Sequence, residues 1–110
     1  MARGTISVQT ISRSGLEPSY ASASADGDAF ANNGRTFLHI KNTGTEKTVT
    51  IVTPNTVDGL AISDRTVTVD ATTGDVMVGP FPTNIYNQSD DTVYVNYSSE
   101  TDVTVAAIVI

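Results

Sequence analysis

From Thr36 onward the chain repeats one short pattern, in which β-branched residues alternate with threonine or another polar residue and a turn follows. The runs Thr48–Val52 (TVTIV), Arg65–Asp70 (RTVTVD), Asp75–Gly79 (DVMVG), Thr92–Tyr97 (TVYVNY) and Asp102–Ile110 (DVTVAAIVI) succeed one another. A period of two sends alternate side chains to opposite faces of a strand, so each run reads as a strand with one covered face. Several short strands separated by regular turn signals predict an antiparallel sandwich or barrel. Hairpin-like connections allow a jelly roll or an immunoglobulin-like order, and the pattern does not choose between them.

The residues that fill the pattern agree with it. There are 13 valines and 17 threonines, whereas Glu, Lys and Leu together number 8. β-Branched side chains suit a pleated surface and lose rotamer freedom in a helix. The 110 residues make one domain, large enough to bury about 65% of the unfolded chain's surface. The expected fold is therefore an all-β, single-domain antiparallel β-sandwich of seven to eight short strands.

Strands are expected at 35–41, with Thr36, Leu38 and Ile40 on one face and Phe37, His39 and Lys41 on the other, and at 47–53, with Val49 and Ile51 inward. Others are expected at 60–62, 65–70, 75–79, 85–86, 92–97 and 102–110. Gly44, Asp58-Gly59, Thr72-Thr73-Gly74 and Gln88–Asp91 supply turns, and Gly79-Pro80-Phe81-Pro82 breaks the ladder.

Two regions break the rhythm. Residues 1–34 read as a separate N-terminal unit preceding a sandwich domain at 35–110. It comprises a strand at 5–11, with Ile6 and Val8 sharing a face, and a loop at 12–34 without apolar periodicity. Leu16, Tyr20 and Phe30 are that loop's large apolar anchors, either on the domain itself or on a neighbouring molecule. At the other end, Ala106–Ile110 is apolar on both faces. That predicts either a central strand with a loop over its outer face or a strand in a subunit interface.

Chemistry-bearing residues are few. His39 is the sole histidine, it lies mid-strand, and no GxSxG elbow accompanies it. Asp26-Gly27-Asp28 followed by Asn32-Asn33-Gly34 has the oxygen-rich look of a calcium loop. Its sixth position is Ala31, however, and its twelfth is Phe37, where a bidentate Glu is required, so a solvated turn is expected. No phosphate-cradling glycine motif occurs, and the chain has no cysteine. The expectation is a non-enzyme without metal or cofactor.

A formal charge of −6 from only 6 basic residues argues against nucleic acid and anionic membrane partners. No apolar run approaches a membrane span. The N-terminal residues lack the apolar core of a secretory signal, so synthesis in a cytoplasm is expected. The sequons at Asn87 and Asn96 are expected to be chance matches.

Two stretches carry a resemblance. One is Asn33–Gly44 (NGRTFLHIKNTG) running into Thr48–Pro54 (TVTIVTP). The other comprises Asp64–Val69, Gly79–Pro82, Tyr86-Asn87-Gln88 and Thr92–Ser98 (TVYVNYS). Together they resemble small virion proteins of tailed bacteriophages, the head decoration or cement proteins, over about residues 33–110. The resemblance implies a β-sandwich without enzyme activity that binds the capsid exterior, often as a homotrimer, with the major capsid protein as partner. In that reading Ile6, Val8, Leu16, Tyr20, Phe30, Ile108 and Ile110 are the expected capsid or subunit contacts. A phage tail or fibre component, or a carbohydrate-binding sandwich, is the alternative.

Overall fold

Every turn-bounded alternating run from Thr36 onward becomes a strand. The computed structural model describes residues 3–110. In chain order the elements are β1 (Gly4–Thr5), β2 (Val8–Thr10), β3 (Ala21–Ser22), β4 (Asp28–Ala31), β5 (Thr36–Asn42), β6 (Lys47–Ile51), β7 (Thr56–Val57), β8 (Leu60–Ala61), β9 (Arg65–Val69), β10 (Gly74–Val78), α1 (Thr83–Tyr86), β11 (Thr92–Tyr97) and β12 (Val103–Val109). Two five-stranded sheets form a single-domain β-sandwich. Sheet A runs β1-β4-β11-β6-β9; sheet B runs β10-β5-β12-β2, with β3 also on β12.

The facing side chains are those the alternation selects. Leu38 and Ile40 of β5, Val49 and Ile51 of β6, Val69 of β9, Val93 and Val95 of β11 and Val105 of β12 are all inaccessible to solvent. Burying a side chain of this size stabilises the fold by roughly 1.5–3 kcal/mol. Val76, Val78 and Tyr97 pack against the same cluster.

The N-terminal third departs from its expected form. Its single strand is two: β1 pairs parallel with β4 in sheet A, and β2 pairs parallel with β12 in sheet B. The chain thus changes sheets between Thr5 and Val8, with Ile6 buried at the crossing. Nor is 12–34 all loop. β3 pairs with β12, and β4 lies between β1 and β11 with Phe30 wholly inside the core. Residues 3–34 therefore contribute four of the strands and belong to the sandwich, which is mixed rather than purely antiparallel. The physical reason is closure: without β1, β2 and β4, one side of both sheets would expose its apolar face.

One local expectation, the strand at 85–86, is also corrected. Residues 83–86 form a helical turn, because Tyr86 N and Asn87 N bond back to Pro82 O and Thr83 O. Gly44 does not take positive φ; a side chain there would strike Asp102, whose Oδ2 would lie 2.6 Å from its Cβ. Asp58 and Gly59, at φ 52° and 77°, do form the two-residue turn of the β7–β8 ribbon.

Several polar residues in and beside the turns are structural anchors. Asn42 Nδ2 donates to Thr45 O at 2.6 Å and Asp70 O at 3.1 Å, and its Oδ1 accepts from Gly44 N. Asn87 and Asn32 exchange side-chain bonds, and Asn32 Nδ2 also donates to Phe81 O at 2.9 Å. Phe81 itself lies in the core against Phe30. Its preceding glycine, Gly79, has φ 135°, and a Cβ there would lie 2.8 Å from Phe37 Cβ. Only glycine meets both conditions.

A candidate interaction surface on the outer face of sheet B

The outer face of sheet B is built from alternate positions of its strands. β5 contributes Phe37, His39 and Lys41; β12 contributes Thr104, Ala106 and Ile108; β10 contributes Asp75 and Met77. Part of this face is closed by the segment between β2 and β3. The Gln9 side-chain amide holds that segment by donating to Ser19 O and accepting from Ser19 N, both at 2.8 Å. Tyr20 then reaches the sheet. Its hydroxyl lies 2.7 Å from His39 Nδ1, its ring meets the imidazole edge-on, and Lys41 Nζ sits 4.5 Å above it.

His39 Nε2 contacts Asp75 Oδ1 on the other side. A carboxylate only accepts, so Nε2–H donates to it, and a neutral ring leaves Nδ1 to accept the Tyr20 O–H. The hydrogen bond from His39 holds the Asp75 carboxyl below its ordinary range, with the nearby Lys41 charge adding to the effect. A hydroxyl, an imidazole and a carboxylate in line have the order of a nucleophile, base and orienting group. Here they serve as a clasp: His39 is buried, and its two ring nitrogens tie the covering segment to β10. The burial of His39 has no local signal in the sequence, because Tyr20 and Asp75 lie 19 and 36 residues away.

Ala106 and Ile108, the apolar outer side chains of β12, are buried beneath this cover although they lie outside the main core. β12 is central, with β5 on one side and β2 and β3 on the other. Beyond the cover the face turns apolar and open. Register sets Phe37 opposite Ile108 and Met77 opposite His39, while Ile11 and Ile110 continue from the paired Thr10 and Val109. Met77 is 66% exposed, Ile110 68% and Ile11 45%.

The expected contact residues divide accordingly. Phe30, fully inside, and Ile6, 4% exposed, are core residues and have no surface to offer. Ile108 is covered, Val8 packs against the core, and Leu16 and Tyr20 are half-buried in or beside the covering segment. Ile110 remains open. Met77 and Ile11 were not singled out from sequence, although Met77 was legible as the outward residue of the DVMVG run.

Two other features bear on function. A second polar cluster ties the N-terminus to sheet A. Arg3 donates to Asp28 O and Val95 O and lies over the Tyr94 ring, while buried Asp28 accepts from Tyr97 O–H at 2.8 Å. Burial, then the hydrogen bond to anionic Asp28, raises the Tyr97 phenol far above its ordinary pKa. Asp28, expected in a solvated turn, is thus a structural acceptor. Among the described residues no group of three or more potential metal-ligating side chains converges.

A cleft of about 740 Å³ opens where β9 and β10 diverge, lined by Asp64, Arg65, Val78, Pro80, Ile85 and Tyr86 among others. No helix among the described residues is long and apolar enough to cross a membrane. No family model, curated protein or solved structure matches this chain.

Proposed function

We propose that this protein is a structural virion component that binds the outside of a phage head and stabilises the assembled shell without catalysing a reaction. The observation that carries this reading is the group of exposed Met77, Ile11 and Ile110 beside half-buried Phe37 on sheet B. Large exposed apolar side chains grouped on one face mark a contact surface. The resemblance over residues 33–110 supplies the partner, the major capsid protein, and a homotrimer as the form that binds. The charge of −6 suits a position outside the shell, away from packaged nucleic acid.

In this mechanism the rigid sandwich presents these side chains to a joint between capsid subunits. Burial of apolar area on both sides of the joint then opposes their separation, and repetition over the shell multiplies a modest single contact. The test mixes the purified protein with undecorated cognate heads and measures stoichiometry. Saturable binding that Met77→Asp with Ile110→Asp lowers at least tenfold, with the fold intact, supports the reading. Absence of binding to those heads overturns it. The cleft favours a second reading, a carbohydrate-binding module, because Tyr86 lines it beside Asp64 and Arg65. Binding on a glycan array without head binding would select it.

A further inference from the structure

Sheet A ends at β9, whose one strand neighbour among the described residues is β6. Which of its backbone groups are free follows from the next pairing along. Ser98 N donates to Thr48 O at 2.9 Å and Val52 N to Tyr94 O at 3.0 Å, so the even positions of β6 bond to β11. Hydrogen-bonding direction alternates along a strand, so Lys47, Val49 and Ile51 bond to β9. Their partners there are Val69, Val67 and Arg65. The N–H and C=O groups of Thr66 and Thr68 therefore point away from the sheet.

Natural edges are usually blunted by lysine, proline, a bulge or a covering segment. β9 has no lysine or proline, and its register with β6 runs unbroken from Arg65 to Val69. Both threonine side chains are exposed. The stretch Thr66-Val67-Thr68 also reads the same in both directions.

We propose that β9 is a self-pairing edge, and that two copies of this chain join antiparallel about a two-fold axis at Val67, making one continuous ten-stranded sheet. In that register Thr66 of each copy faces Thr68 of the other, and each such pair exchanges both backbone bonds from the free groups. Threonine opposite threonine and valine opposite valine are favourable cross-strand pairs. Arg65 of one copy faces Val69 of the second at each end, and just beyond the strands Asp64 of one copy faces Asp70 of the other, a like-charge pair that limits the pairing to Arg65–Val69. The symmetry is isologous, so the contact closes at two copies and does not run on into a fibre. A pairing of five-residue strands buries less than the roughly 1,200 Å² of a stable interface. It is therefore weak in dilute solution and effective where copies are held close together. It leaves the outer face of sheet B free and does not depend on shell binding.

The chain has no cysteine, so a single introduced thiol reports the register. Val67→Cys places two sulfurs across a non-hydrogen-bonded pair with Cα atoms about 4.5 Å apart, inside disulfide range. Thr66→Cys places them two residues out of step, beyond the ~7 Å limit. Air oxidation is followed for both, with each rate divided by that thiol's reaction with a small disulfide. The expected result is a covalent dimer of Val67→Cys forming at least tenfold faster. Thr66→Pro, which removes a free donor and no ladder bond, or Thr68→Lys, when added to Val67→Cys, abolishes that advantage, with circular dichroism checking the fold. Sedimentation of the unmodified chain shows a weight-average mass rising with concentration, and Thr68→Lys flattens the rise. Equal normalised rates for the two cysteine variants overturn the proposal, as they would if β9 instead received a strand of a different protein. A self-association unchanged by Thr68→Lys overturns it as well.

Discussion

Tyr20 and His39 meet across the outer face of sheet B at 2.7 Å, and that contact turns a connection with no apolar periodicity into a fixed layer of the fold. One hydrogen bond of this kind contributes about 0.5–1.5 kcal/mol. Tyr20→Phe keeps the ring against His39 and Lys41 and removes the bond. Global stability should fall by about that amount. Hydrogen exchange at residues 10–20 should accelerate before any change in β5 or β12.

The other half of the clasp is pH-dependent. Asp75's carboxyl is lowered from its ordinary 3.8 chiefly by the His39 hydrogen bond. A group depressed in the folded state contributes above its unfolded pKa and loses that contribution as pH falls through the folded value. The Asp75 contribution should therefore be present at neutral pH and be lost as pH falls below 3.8. A carbon-detected titration of Asp75 should show a midpoint below 3.8 in the native chain and an ordinary one in His39→Ala.

Tyr97 supplies the alkaline counterpart. Its phenol is raised above the ordinary 10.0 by burial and by Asp28. Stability linked to it is complete below pH 10.0 and declines as pH climbs past that value toward the folded one. Absorbance at the phenolate band should show Tyr97 silent while the chain stays folded and ionising with unfolding. Tyr97→Phe should remove that part of the alkaline decline.

Phe30 and Ile110 separate core from surface. Phe30→Ala should cost about 3–5 kcal/mol in denaturant unfolding, because a fully enclosed ring leaves a cavity. Ile110→Ser should stay within about 0.5 kcal/mol. If the surface strip is the shell contact, Ile110→Ser should nevertheless weaken head binding.

Alternation made β5, β6, β9, β10, β11 and β12 legible, down to which valines face inward, since a period of two assigns a side of the sheet to every residue. β4 was hidden because its four residues hold only one large apolar side chain, Phe30. Its bracketing turns at Gly27 and Asn32–Gly34 were the available signal. Among the expected contacts, Ile6 and Phe30 were placed wrongly for one reason: isolated apolar residues in a polar stretch look like anchors to a partner, and here they anchor the chain to itself.

The repeated valine-threonine pattern by itself determined an all-β sandwich and the inward face of its principal strands, because those follow from local stereochemistry and burial. Tertiary structure alone decided which strands became neighbours. It carried the N-terminal segment from one sheet to the other, brought Tyr20, His39 and Asp75 together, and left β9 without a second strand partner among the described residues. These depend on contacts between distant residues, for which the local period has no signal; the free edge and the open apolar strip are what that packing left uncovered.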